Sequence, residues 1–287
     1  MTVHERAPAK TNLFLEILGK RPDGYHALDT VFVELSLADA LRVEPAPEGT
    51  LSLTIEGAPE LAQEPDNLVL RAARLLRARR GSPELGAEVT LTKHVPIGGG
   101  LGGGSSDAAA ALRALNHLWE LAAAPAELEA LAGELGSDVA FFVRGGVQRG
   151  TGRGEVLEPI PPCPALPLVL LVPPFGCPTP AVYRALAGSI PERPRRPRDL
   201  VSALGHGPEA VAAQVFNRLE GAALSAFPAL APLLADLRAA PGVLAGWVSG
   251  SGSTLIGLCA TPPEADVAAA ALAAQGHAVF RAAAGGA

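Results

Sequence analysis

An α+β fold is predicted by three features of the sequence. Short apolar runs that read as strands alternate, in the first half, with a helical pattern. A glycine-rich stretch opens directly into an amphipathic helix. Beyond a proline-rich segment, a second series of strands and helices follows.

In the first half, LFLEIL (13–18), TVFVELSL (30–37), LSLTIEG (51–57) and AEVTLTKHVPI (87–97) read as strands, and LVLRAARLLRARR (68–80) as a helix. Arg71, Arg74 and Arg77 recur there at helical spacing opposite Leu68, Leu75 and Leu76, which predicts a solvated basic face. After the glycines, Ala108, Ala111, Leu112, Leu115, Leu118, Trp119 and Ala122 form the apolar stripe of a helix ending before Pro125. In ELGSDVAFFV (134–143), Asp138 is expected between a helical segment and an apolar strand. The proline-rich EPIPPCPALP (158–167) marks a boundary between lobes 1–158 and 159–287. LPLVLLVPP then begins a new strand, and in CPTPAVYRAL Thr179 is the expected N-cap, with Pro180 at the first helical position. PERPRRPRDL (191–200) reads as a mobile surface connection, and GVLAGWVSGSGSTLIGLCA as two strands joined by a Ser-Gly-Ser-Gly-Ser loop.

Composition limits the function classes. At 287 residues, 48% hydrophobic and 18% charged, the chain is long enough for two lobes sharing a cleft. Cys163, Cys177 and Cys259 are odd in number and far apart, with no CxxC pair or metal-ligand spacing, which fits a reducing cytoplasm. No window reaches the length of a membrane span, and a net charge of -6 argues against a general nucleic-acid binder.

The chemistry is concentrated in PIGGGLGGGSSDAA, with six glycines in the seven residues 98–104. A helix N-terminus offers unpaired N–H groups and the positive end of the dipole, and glycines remove every Cβ that would hold the backbone off a phosphate. Gly98, Gly99, Gly100, Gly102, Gly103 and Gly104, with the hydroxyls of Ser105 and Ser106, are therefore candidate phosphate-binding residues in a run that also includes Pro96, Ile97 and Leu101; Asp107 could cap the first turn, and a flexible or structural glycine loop is the other reading. The stretch is neither a Walker A sequence nor a clean dinucleotide fingerprint.

PIGGGLGGGSSDAA resembles the phosphate-binding motif of the GHMP family of small-molecule kinases. APAKTNLFLEI (7–17) is similar to that family's first motif, and GWVSGSGSTLIGL (246–258) to its glycine-rich third motif. The resemblance implies a two-lobed fold, an N-terminal ribosomal-protein-S5-like lobe and a C-terminal ferredoxin-like lobe with the active site between them. It also implies ATP and Mg2+ as cofactors. RPDGYHALDTVF, NLVLRAA, LGSDVAFF, FGCPTPAVY and FNRLE extend it to members whose acceptor is 4-diphosphocytidyl-2-C-methyl-D-erythritol, phosphorylated on its 2-hydroxyl. A homoserine- or mevalonate-type kinase and a non-catalytic nucleotide-binding module are the alternatives.

By this resemblance Asp138 is the base for the acceptor hydroxyl and Lys10 lies beside it, keeping the carboxylate ionised and offsetting phosphoryl charge. Read alone, they are a turn residue and a solvated lysine. Tyr25 and Tyr183, the only tyrosines, match positions that sandwich the cytosine, and His26 one that bonds its polar edge; read alone, the tyrosines are half-buried core rings and His26 an ordinary surface histidine. Asn12 matches a position near the reacting alcohol, or is a buried strand-end asparagine. Asn67 matches one near the adenine, or is the N-cap of the arginine-rich helix. Ser105 or Ser106 reaches the Mg2+, and no carboxylate spacing identifies a metal ligand. Residues 249–253 line the cleft near the phosphate or form a plain hairpin turn. The family's proline after Gly-Ser-Asp-Val is Ala140 here, which predicts a slightly less rigid loop.

Overall fold

Strands β1 (Val3–Lys20) and β2 (His26–Pro45) are much longer than the apolar runs that announced them. From Ala7 to Ile17 every residue of β1 is buried, including Lys10, Thr11, Asn12 and Glu16. A reading that counts apolar side chains stops at such residues, whereas the hydrogen-bonded ladder does not. The computed structural model describes residues 1–59, 61, 66–186 and 193–286. Both strands contribute to two compact units. The first comprises Met1–Ala9, Leu37–Ile97 and Gly102–Gly145, and the second Lys10–Ser36, Gly98–Leu101 and Gly146–Ala287.

The first unit contains β3 (Leu51–Glu56), α1 (Leu68–Arg79), β4 (Ala87–Thr92), α2 (Gly103–Leu118), α3 (Pro125–Leu135) and α4 (Val139–Arg144). Strand β4 pairs antiparallel with β2, Ala40 facing Thr92 and Pro45 facing Ala87, and parallel with β3. Leu41, Val43, Ala87, Val89 and Leu91 bury one face of this sheet in strict alternation. Strand β4 ends at Thr92 instead of reaching Ile97 because the Asp39 carboxylate takes the N–H groups of His94 and Val95, diverting them from a ladder. Helix α1 buries Val69, Ala72, Ala73 and Leu76, with Leu68 and Leu75 only half-buried. Arg77 is not simply solvated: it donates to the carbonyls of Gly49 (3.0 Å) and Leu85 (3.2 Å). The expected strand after Asp138 is helix α4. Phe141 and Phe142 pack edge-to-face there, with ring centroids 5.0 Å apart, and Ala140 is buried in its first turn.

The second unit contains β5 (Val147–Gly152), β6 (Val156–Pro159), β7 (Leu166–Val172), α5 (Thr179–Ala185), α6 (Arg198–Ala203), α7 (Pro208–Ala212), β8 (Phe216–Asn217), α8 (Glu220–Ala226), α9 (Leu230–Ala239), β9 (Val243–Val248), β10 (Leu255–Cys259), α10 (Pro262–Ala274) and β11 (Ala278–Ala284). Strands β11, β7, β10 and β9 form an antiparallel sheet in that order. Its core gathers Leu15, Ile17, Val169, Leu171, Leu234, Leu237, Leu255 and Leu272, each side chain worth about 1.5–3 kcal/mol on full burial. Helix α9 packs so closely on β10 that a Cβ on Gly257 would come within 3.0 Å of Leu237 Cδ1. Strands β5 and β2 pair antiparallel, and the short β8 runs parallel to β1, placing Asn217 opposite Leu15.

Two expectations in this unit are corrected. Thr179 is not the N-cap of α5 but its first residue, preceded by Pro178; its hydroxyl is bonded to Ser251 Oγ at 2.9 Å. In the arginine-rich connection, Pro191 and Glu192 lie outside the described residues, but the chain beyond them is tied down. Arg195 donates its N–H to Glu16 Oε2 at 2.9 Å and lays its guanidinium on the Phe216 ring at 4.5 Å.

Candidate active site

The glycine-rich stretch divides between the units, with Gly98–Leu101 in the second and the rest of the loop in the first. Gly98, Gly100 and Gly102 all have φ near +70°, the left-handed region that other residues enter at a cost. In the first unit Gly102 is the N-cap of α2 and offers no side chain, so the N–H groups of Gly103, Gly104 and Ser105 lack intrahelical partners. Ser106 Oγ and Asp107 Oδ1 are buried with no hydrogen-bond partner among the described residues. Asp107 does not cap the helix. It lies in the second turn, and Oδ2 accepts from Lys93 Nζ at 2.7 Å, with Asp39 as the other partner of that ammonium.

This cluster has one cation between two buried carboxylates. Burial alone would push Lys93 down, but Asp107 and Asp39 outweigh it and the ammonium is held charged. Asp39 also accepts two backbone N–H groups. Asp107 is the member that takes up a proton: burial, added to by Asp39 and only partly offset by Lys93, raises it to about 7. Asn67 is the N-cap of α1, its Oδ1 accepting from Val69 N–H at 2.9 Å. Asp138 stands at the N-cap position of α4, but its side chain makes no capping bond. Both lie in the first unit with Pro96 and Ile97.

In the second unit Lys10 and Asn12 are buried side by side on β1, with Lys10 Nζ 3.2 Å from Asn12 Oδ1 and 5.3 Å from the centre of the Phe32 ring. Asn12 is oriented from three directions. Its Nδ2 donates to Thr30 Oγ1 (2.7 Å), Thr30 donates to Phe14 O (2.6 Å), and Trp247 Nε1 donates to the Asn12 carbonyl (3.1 Å). Residues 249–253 close over this pair: a Cβ on Gly250 would lie 3.6 Å from Asn12 Oδ1 and 4.0 Å from Lys10 Nζ.

That loop and Gly98–Leu101 interlock. Thr254 N–H donates to Gly99 O, Ser249 Oγ to Gly100 O, and Lys10 N–H to Leu101 O. A Cβ on Gly100 would come within 2.5 Å of Ser249 O and 2.8 Å of Gly252 O, so only glycine fits. Among the described residues, the N–H groups of Gly250, Ser251 and Ser253 have no protein acceptor. The arrangement therefore presents bare backbone donors beside an ammonium, which suits a polyphosphate.

His26 and Tyr183 are brought together, with ring centroids 4.8 Å apart and tilted by 34°. Burial, and then the Lys20 charge, hold the imidazole below its ordinary pKa. Tyr25 is 56% exposed with the Arg153 guanidinium 4.9 Å from its ring centre. Thr30, Phe32, Arg153, Asn217 and Trp247 were not singled out from sequence. Thr30, Phe32, Asn217 and Trp247 lie within the family-like segments, but nothing local marks them out from their neighbours there.

Within the second unit, bare backbone donors lie beside a buried lysine and asparagine, a setting that suits the phosphates a small-molecule kinase handles. Residues 67–146 match the GHMP kinases N terminal domain, and residues 201–278 the GHMP kinases C terminal domain. A 4-diphosphocytidyl-2-C-methyl-D-erythritol kinase of Pelotomaculum thermopropionicum is 45% identical over 91% of this chain and 90% of its own length. One of Nocardia farcinica is 44% identical over 94% and 89%. A solved 4-(cytidine 5'-diphospho)-2C-methyl-D-erythritol kinase superposes with a TM-score of 0.84 at 38% identity, covering 99% of this chain and 100% of the other. The chain belongs to the GHMP kinase family, and it is an ATP-dependent small-molecule kinase.

Proposed function

We infer that this chain transfers the γ-phosphoryl group of ATP to the 2-hydroxyl of 4-diphosphocytidyl-2-C-methyl-D-erythritol, a step in the methylerythritol phosphate route to isoprenoid precursors. The observation that carries the reading is the enclosure of Lys10 and Asn12 beneath residues 249–253, which interlock with Gly98–Leu101. Phosphoryl transfer requires little covalent chemistry of the protein beyond position, charge compensation and a proton acceptor. Gly98 to Ser106 and the loop 249–253 donate N–H groups to phosphate oxygens, and Lys10 offsets their charge. Asn12 holds the acceptor hydroxyl, and the Asp138 carboxylate takes its proton as oxygen attacks phosphorus. Tyr25, His26 and Tyr183 bind the cytosine, with His26 neutral so that it both donates and accepts. Asn67 contacts the adenine through the amide nitrogen that its cap leaves over.

Mg2+ fits the residues present. Ser106 Oγ and Asp107 Oδ1 are buried polar atoms without a partner among the described residues, at the start of α2. Ser106 and Asp107 would hold the ion, directly or through water, and when bound it neutralises charge on the transferring group. Three free cysteines match the reducing cytoplasm in which we place the protein, and among the described residues no helix is long and apolar enough to cross a membrane.

The test is ADP release by the purified protein with Mg-ATP and 4-diphosphocytidyl-2-C-methyl-D-erythritol, run beside mevalonate and homoserine. Turnover with the cytidyl compound alone is expected. Turnover with either of the others in its place would discard the roles given to Tyr25, His26 and Tyr183.

A further inference from the structure

The segment FNRLE (216–220) bonds through every polar side chain it carries, and two of those side chains hold the strand end that leads into residues 249–253. Asn217 is buried, and its Nδ2 donates to Val248 O at 2.8 Å and to Gly250 O at 2.7 Å. Its Oδ1 accepts from Leu219 N–H at 2.9 Å, so both donors and an acceptor site are engaged. Glu220 Oε2 accepts from Val248 N–H at 3.2 Å, and β8 anchors Asn217 beside β1, opposite Leu15. Arg218 fastens the other side of the segment through two bonds to the buried Glu16 carboxylate.

The consequence follows from peptide planarity. In a trans peptide the carbonyl of one residue and the N–H of the next point in opposite directions. Pulling the Gly250 carbonyl onto Asn217 therefore turns the Ser251 N–H to the side opposite Asn217, where it has no acceptor among the described residues. Gly250 itself has φ +56°, a left-handed conformation that glycine enters without strain. We propose that Asn217 is a positioning residue for phosphoryl transfer: it fixes the 250–251 peptide so that the Ser251 N–H is presented to the transferring phosphoryl group. This rests on the kinase reading above and adds to it a residue that touches neither nucleotide nor acceptor.

The test compares Asn217→Asp, near-isosteric but unable to donate to two carbonyls, and Asn217→Ser, too short to reach them, with Leu230→Ala. Leu230 is fully buried in the same core and supplies a loss of stability unconnected with the loop. Per folded molecule, both Asn217 variants are expected to lose at least tenfold in kcat and to bind β,γ-imido-ATP at least fivefold more weakly. Their affinity for ADP, which lacks the γ-phosphate, stays within twofold, and Leu230→Ala keeps its kcat within twofold. The proposal is overturned if kcat in the Asn217 variants stays within twofold, if ADP and imido-ATP weaken equally, or if Leu230→Ala loses as much turnover. If the unsubstituted protein ignores the cytidyl acceptor, the reading of its substrate fails, and the two nucleotide affinities alone decide the role of Asn217.

Discussion

Asn12 shows how a polar side chain gains a single orientation inside a buried strand. Thr30 receives its amide hydrogen, Lys10 donates to its oxygen, and Trp247 holds the carbonyl behind it. A buried amide so engaged cannot rotate without leaving a polar group unsatisfied, at about 1–3 kcal/mol. Asp138 stands at the N-cap position of α4 without making the capping bond. If it takes the acceptor proton, Asp138→Asn lowers kcat by about 10²- to 10⁴-fold, the usual contribution of a positioned base. ADP affinity by calorimetry stays unchanged, and unaltered turnover would remove Asp138 from the mechanism. Lys10, Asp138 and the glycines were singled out by their resemblance to a family's motifs, and local pattern alone reads the first two as a solvated lysine and a turn residue. Thr30, Phe32 and Trp247 were not singled out, since nothing local distinguishes a strand threonine or an aromatic residue that meets Lys10 or Asn12 across the fold.

At the scale of elements, periodicity served where one face is apolar and failed where backbone donors are diverted. Strand β4 and the β9–β10 hairpin follow their patterns, but LTKHVPI leaves the sheet after Thr92 for the Asp39 carboxylate. AFFV, a strand by composition, is helical because six residues packed between Asp138 and Gly145 bury Phe141 and Phe142 without any pairing strand. Ala140 therefore lies in a helix first turn, where proline is tolerated and no backbone bond involving its N–H is found. Ala140→Pro is expected to stabilise by about 0.4–1 kcal/mol by restricting the unfolded chain. A fall in the denaturation midpoint would mean that the buried position has no room for the ring. The phosphate loop offers a sharper contrast. Gly98 and Gly100 share a left-handed φ, yet a Cβ on Gly98 meets nothing within 4 Å, whereas one on Gly100 runs into two carbonyls. Gly98→Ala should lose about 1–2 kcal/mol of stability from strain alone. Gly100→Ala should lose more, and should also weaken ATP binding because it forces Gly98–Leu101 off residues 249–253. Equal losses in stability and affinity for the two would show that the loops do not depend on each other.

For the whole molecule, neither compact unit is contiguous in sequence, and the chain crosses between them within β1, β2 and the glycine loop and again between Gly145 and Gly146. Such an arrangement is illegible to a local reading because it consists of contacts between segments that share no pattern. The pairing of Lys93 with Asp39, 54 positions earlier, is of this kind, and it leaves a signature in global stability. Asp107 has an ordinary carboxyl value of 3.8 when exposed and about 7 in the folded protein. A group that binds its proton more tightly when folded stabilises most below its unfolded value, and that contribution is lost as pH rises toward the folded one. From this residue, stability therefore declines between about pH 4 and pH 7. Asp107→Asn keeps the shape and removes the proton, so the decline attributable to this site disappears. Urea denaturation at pH 5 and pH 8 gives the test as a difference, since titrating groups outside the Lys93–Asp39–Asp107 cluster cancel between variant and parent. The variant should gain on the parent by roughly 1 kcal/mol or more between those two pH values. Parallel profiles would mean that Asp107 stays ionised throughout, with Lys93 balancing both carboxylates at neutral pH.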